Sequence, residues 1–108
     1  MAGAKIMVIY PRPKDIEAFD KAYAEEHVPM AVNNLAGKTK MVATKFLGAS
    51  DGPAPFHVMA EVHFPTMEAL QACAASKGGK DTLAHAHEIS TGGPPLILIA
   101  EEQVFNFD

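Results

Sequence analysis

The sequence predicts an α+β fold in which the elements follow the order β-α-β-β-α-β, and three observations carry that prediction. Phe56–Phe64 alternates apolar and polar residues without a break, as a strand with one buried face does. Ile16, Phe19, Tyr23 and His27 recur at steps of three and four, the spacing of one helix face. Apolar runs at Ala4–Tyr10 and Leu96–Phe105 supply a first and a last strand. That order is the ferredoxin-like arrangement, a four-stranded antiparallel sheet with both helices on one face.

Strand one, Ala4–Tyr10, is rich in Ile, Val and Met and closes at Pro11-Arg12-Pro13. Lys14 or Asp15 opens the first helix, with Glu17, Asp20, Lys21, Glu25 and Glu26 on its polar faces. Pro29 disfavours helical geometry at Val28, so a stop or kink is expected there, with one more turn over Met30–Leu35 before Gly37. Met41–Gly48 reads as the second strand, followed by the turn Ser50-Asp51-Gly52-Pro53. In the third strand Phe56, Val58, Ala60, Val62 and Phe64 are expected to face the helices, and His57, Met59, Glu61 and His63 the other side. Thr66 caps a helix over Met67–Ala75, with Glu68 in its first turn. Ser76-Lys77-Gly78-Gly79 is expected to break it before a short helix from Thr82 to about Glu88, with Asp81 as cap. Ser90–Pro95 then turns into the last strand.

A sheet with helices on one face leaves the other bare. Strand one and Leu96-Ile97-Leu98-Ile99 are apolar on both sides, more than a solvated face requires. A second copy packed face to face would bury that surface, so a homodimer is expected. His57, Met59, Glu61 and His63 then project toward the dimer's interior or rim. An ionisable group facing a partly dry cavity is costly unless paired, which marks it as a site candidate. Solvent, or a salt bridge at the subunit boundary, satisfies the same residues without any function.

With 108 residues, 48% of them hydrophobic and 20% charged, the chain suits one packed domain over residues 1–108. The nine Lys and Arg residues are scattered and the net charge is −4, which argues against nucleic acid or an anionic membrane as partner. The lone cysteine, Cys73, forms no internal disulfide and suits a reducing compartment; among alanines it reads as buried and inert. The N-terminal MAGAKIMVIY reads as a strand rather than a signal peptide, no run approaches the roughly 20 apolar residues of a bilayer span, and a cytoplasmic location is expected. Metal binding is not expected. His85 and His87 diverge by about 200° on a helix, and neither CxxC nor HExxH occurs. Gly78-Gly79 and Gly92-Gly93 lack a phosphate-binding context.

The segments IYPRPKDIEAFDKAYAEEHVPMA and FHVMAEVHF, with the closing apolar strand, resemble the EthD family. The signature is Tyr10-Pro11 followed by Phe19, Tyr23, His27 and Pro29 at these spacings. The family's members are small bacterial proteins, named for a gene cluster for degradation of ethyl tert-butyl ether. The resemblance implies a dimeric α+β barrel with a small-molecule pocket between each sheet and its first helix. Related barrels include muconolactone isomerases, polyketide cyclases, monooxygenases and haem-binding proteins, so the fold names no single reaction. His27 would point from its helix toward the pocket and move a proton near neutral pH, assisted by Tyr23, while Glu61 orients or polarises. Tyr10, Phe19, His57, Met59 and His63 would line the pocket. Alternatively, His27 only serves the C-terminal dipole of its helix, worth about 0.3–1 kcal/mol, and Tyr23 is core. No cofactor is expected for proton transfer, although haem-binding relatives make His27 or His57 a further candidate, as an iron ligand. A non-catalytic accessory or carrier protein for an oxygenase system is the other class of reading. The family often carries an aspartate after the second helix, where this chain has His85 and His87.

Overall fold

A computed structural model of the chain describes residues 3–108. Strand β1, Gly3–Pro11, alternates in burial along its length, with Ala4, Ile6, Val8 and Tyr10 inside. It lies between β3 (Phe56–Phe64) and β4 (Leu96–Glu102), and β2 (Lys40–Lys45) pairs with the far side of β3, giving the order β2-β3-β1-β4. Every pairing is antiparallel. The strand alternation therefore builds the expected ferredoxin-like sheet, with Tyr10, Phe64 and Leu70 the most completely buried large side chains. Each such side chain stabilises the fold by about 1.5–3 kcal/mol through removal from water.

At Val28, where a stop or kink is expected, the first helical region is interrupted without ending. Asp15 caps α1 (Ile16–Ala22) by accepting from the Ala18 N–H at 3.1 Å. The helix then widens into a π turn over Tyr23–His27 and continues as α2 (Val28–Asn34). Pro29 explains the widening. It has no N–H for the carbonyl of Glu25 four residues back, and its ring would collide with that group. The Val28 N–H instead reaches the Tyr23 carbonyl five residues back, which closes the wider turn.

The second helical region departs from expectation. Thr66 caps α3 (Met67–Ala75) as predicted, accepting from the Ala69 N–H. Gly78 and Gly79 do not break the chain; they lie in the first turn of α4 (Lys77–Ile89), where Ser76 is the cap. A Cβ on Gly79 would sit 2.0 Å from the Cys73 carbonyl oxygen, and one on Gly78 would sit 2.5 Å from that of Asn34. These glycines permit close approach to α3 and α2.

Two strands end earlier than predicted. β2 stops at Lys45 rather than Gly48, although the Phe46 N–H still reaches the His57 carbonyl at 2.9 Å. Pairing of β4 runs to Gly3↔Glu102, so residues 103–105 have no described strand to continue on. The side chains of α1, α2, α3 and α4 that enter the core all meet one face of the sheet. The bare face carries Ile9, Met59 and Leu96 in one row, then Met7, Glu61, Val42 and Leu98, then Lys5, His63 and Lys40.

Candidate functional site

Between the sheet and the helices lies an apolar cavity of about 40 Å³. One water needs roughly 10–15 Å³ on this measure, so the cavity admits a few waters, and a larger guest requires its walls to part. Ile6, Val8, Met41, Ala60 and Val62 form the sheet side; Val28, Ala31, Leu83 and Ala86 are among the residues of the helix side. Four lining residues carry polar or ionisable groups: Tyr23, His27, Cys73 and Thr82. Thr82 donates its hydroxyl to the Gly78 carbonyl at 2.7 Å, and burial pushes the Cys73 thiol up, which keeps it protonated and unreactive. Tyr23 and His27 are thus the polar end of the cavity.

The π turn and β1 set their geometry. The Tyr23 and His27 rings stack at 5.8 Å between centroids, and Tyr10 from β1 meets both edge-on. The Tyr10 hydroxyl is 3.3 Å from His27 Nε2. The other nitrogen, Nδ1, is 2.9 Å from His85 Nδ1, with the two imidazoles nearly parallel at 11°. Burial, and then the neighbouring His85, lower the His27 pKa from 6.5 to about 4, so the ring is neutral at neutral pH. Burial raises both Tyr10 and Tyr23, which keeps both phenols protonated.

The other expected site residues lie elsewhere. Glu61 sits across the sheet from His27, on the bare face, so the two do not form one catalytic group. Its carboxylate and that of Glu102 each bind Lys5 Nζ at 2.7 Å. His63 completes this cluster, 3.8 Å from Glu61 and 3.7 Å from Glu102. The hydrogen bonds to Glu102 and Glu61 raise the Lys5 pKa, and that to Lys5 lowers the Glu102 pKa. The Lys5 ammonium thus occupies both carboxylates of this group of ligand-type side chains. Met59 shares that bare face and, like His63, does not reach the cavity wall.

His57 corrects the strand pattern in the opposite sense. Tyr10 pairs with Val58 but Pro11 pairs with Phe56, so His57 is the extra residue of a bulge. It turns toward α1, bonding Asp20 at 2.7 Å and packing edge-on against Phe19, and its hydrogen bond holds the Asp20 carboxyl low. Phe19 stacks on Tyr23 and borders a separate surface groove with Lys14, Ala18 and Ile89; Tyr10 is sealed behind His27. None of Tyr10, Phe19, His57, Met59 and His63 lines the cavity. Nor do the histidines fit a haem. Both nitrogens of His27 are engaged, His57 is committed to Asp20, and the cavity is far smaller than a porphyrin.

His85 is the site residue that pattern reading missed as a partner of His27. Weighed with His87 as a metal pair and as the place of the family's aspartate, it lies on the inward side of α4 beside Thr82 and Ala86, whereas His87 is exposed. The spacing of Thr82, His85 and Ala86 on one helical stripe was the available signal.

A four-stranded antiparallel sheet, helices on one face only, and a cavity between the layers define a ferredoxin-like α+β protein. Residues 12–89 match the EthD domain model, and the chain belongs to the EthD family. It is 25% identical over 100 residues to an uncharacterized 11.0 kDa protein in the thcB-thcC intergenic region of Rhodococcus erythropolis, covering 93% of this chain and 96% of that one. A crystal structure of an ethyl tert-butyl ether d (EthD) family protein from Bacillus halodurans C-125 superposes with a TM-score of 0.87 at 28% identity, over 94% of this chain and 99% of the other. A dimeric ferredoxin-like protein of unknown function from Jannaschia sp. CCS1 matches with a TM-score of 0.63 at 14% identity, covering 96% and 100% of the two chains, and shares the fold. No helix among the described residues is long and apolar enough to cross a membrane.

Proposed function

We propose that this protein binds a small, largely apolar organic molecule between sheet and helices, and that His27 exchanges a proton with it in cofactor-free isomerase- or cyclase-like chemistry. The observation that carries the reading is a buried, neutral imidazole on the wall of an otherwise apolar cavity. Apolar walls supply affinity, and a few convergent polar groups supply orientation. A neutral ring has a lone pair with which to act as base, and the Tyr23 hydroxyl can donate to a developing oxyanion. The name of the Bacillus halodurans relative, with its reference to an ether, is compatible with a small, largely apolar guest. The working molecule is inferred to be a homodimer, with the bare sheet faces buried against each other.

Phenol, an apolar ring with one hydroxyl, is the probe. Titrated into methyl-labelled protein, it is expected to shift Val28, Leu83 and Val62 together with the His27 ring. Shifts confined to Leu96 and Leu98 on the bare face would sink the cavity reading. His27→Ala separates the functional classes: turnover of an enolisable substrate is lost if His27 moves the proton, whereas binding without any turnover in the native protein points to a carrier.

A further inference from the structure

The His27–His85 contact has a direction that chemistry fixes. With the His27 ring neutral, an Nδ1-to-Nδ1 contact of 2.9 Å requires one ring to donate and the other to accept. Tyr10 decides which is which. Its hydroxyl is fully buried, and its hydrogen-bond partner among the described residues is His27 Nε2. A phenol that keeps its proton donates it there, so Nε2 is the acceptor and His27 carries its proton on Nδ1. His85 then accepts at Nδ1 and holds its own proton on Nε2. That outer nitrogen lies 3.9 Å from Glu26 Oε1 and 4.0 Å from Glu88 Oε2, both exposed carboxylates.

We propose that His85 is the positioning residue of His27, fixing it as the Nδ1–H tautomer with a basic Nε2, and the outlet through which a proton taken at Nε2 leaves for the surface. The step balances without an oxidant or reductant. An acidic O–H or C–H of the guest gives its proton to Nε2; the Nδ1–H of His27 passes to Nδ1 of His85; the Nε2–H of His85 passes to water beside Glu26 and Glu88. A guest reaches Nε2 only by displacing the Tyr10 hydroxyl, whose contact at 3.3 Å is the longer of the two made by the His27 ring; the 2.9 Å contact to His85 stays in place. The guest class is therefore a small molecule with one labile proton, such as a phenol or an enolisable carbonyl compound. The charged and titratable groups around the pair are Tyr10 from β1, Tyr23 and Glu26 from the π turn, and Glu88 from α4.

The guest class rests on the cavity reading; the tautomer and the outlet do not, so the test uses the protein with no guest. In the full chain labelled with nitrogen-15 histidine at neutral pH, His27 is expected to show a protonated Nδ1 and a bare Nε2, and His85 the reverse. An Nε2–H tautomer at His27 in the wild-type spectrum overturns the proposal by itself, whether or not variants fold. His85→Leu removes the acceptor and is expected to abolish the Nδ1–H preference; an unchanged tautomer overturns the positioning role. His85→Asn keeps an acceptor oxygen near Nδ1 but cannot hand a proton onward. It should restore the tautomer while the His27 Nδ1–H exchanges with solvent more slowly than in the wild type. Equal exchange in the two proteins overturns the outlet. None of these outcomes depends on phenol binding, and a failed phenol titration leaves them standing.

Discussion

At the scale of single residues, His27 ties stability to pH. Its pKa in the fold is about 4 against 6.5 in an ordinary environment. Between those values the unfolded chain holds a proton that the folded chain excludes, so stability rises with pH across this window. The contribution is fully present above 6.5 and is lost as pH falls toward 4. Asp20 and Glu102, held low by His57 and Lys5, also lose stability on acidification, but below their ordinary values of 3.8 and 4.5. Over about 6.5 to 4.5, the difference between the wild type and a variant without His27 isolates this contribution. His27→Phe leaves the buried Tyr10 hydroxyl without its partner, an expected loss of about 1–3 kcal/mol at pH 7.5. In urea unfolding series the deficit should narrow as pH falls, because the variant no longer excludes a proton. A deficit constant from pH 7.5 to about 4.5 would mean that His27 is not held neutral by burial.

At the scale of elements, the two glycines at the start of α4 decide how tightly the helical layer closes over the cavity. Gly79→Ala would place a methyl 2.0 Å from the Cys73 carbonyl, a backbone atom that cannot swing aside. The expected cost is about 1–3 kcal/mol of overpacking in thermal unfolding. Gly48→Ala, whose nearest neighbour is 3.9 Å away, is the control and should stay within about ±0.5 kcal/mol. Near-equal melting temperatures for the two variants would contradict the close packing of α3 and α4. The same glycines show where sequence reading stops. A Gly-Gly pair signals a breaker or a close approach with the same letters, and the neighbour that chooses, the Cys73 carbonyl, is a product of the fold. The strands were legible because alternation is local: Phe56–Phe64 announces its period within its own residues. Pro29 announced an interruption, but a π turn relieves the same collision as a stop. His57 was misplaced because the bulge is a property of the pairing with β1. His85 was missed because its partner is 58 residues away, across a contact between the π turn and α4. Tyr23 and His27 could be singled out because four residues on one helix suffice to bring them together.

At the scale of the whole molecule, the bare sheet face carries Leu96 and Leu98, each 47% exposed, beside Met7, Ile9 and Met59. Its polar corner is paired within the chain, the single ammonium of Lys5 bridging the carboxylates of Glu61 and Glu102. A face with an apolar centre and an internally paired charged rim can meet a second copy of itself with its carboxylates already partnered. A standard interface buries about 800 Å² on each partner, and several rows of a four-stranded sheet are the surface available here. Leu98→Asp places an unpaired carboxylate on the β4 edge of that face, beside Met7, which a dimer would have to desolvate. It should convert a dimer into a monomer in size-exclusion chromatography with light scattering. Leu47→Asp, at a loop residue 92% exposed, should leave the mass unchanged. A wild-type monomer, or a Leu98→Asp variant that stays dimeric, would show that this face is not the contact. The lining residues of the cavity lie on the opposite side of the sheet. The Leu98→Asp monomer should therefore still give the phenol-induced shifts of Val28, Leu83 and Val62. Their loss on dissociation would mean that the second copy holds the sheet in the shape the cavity needs.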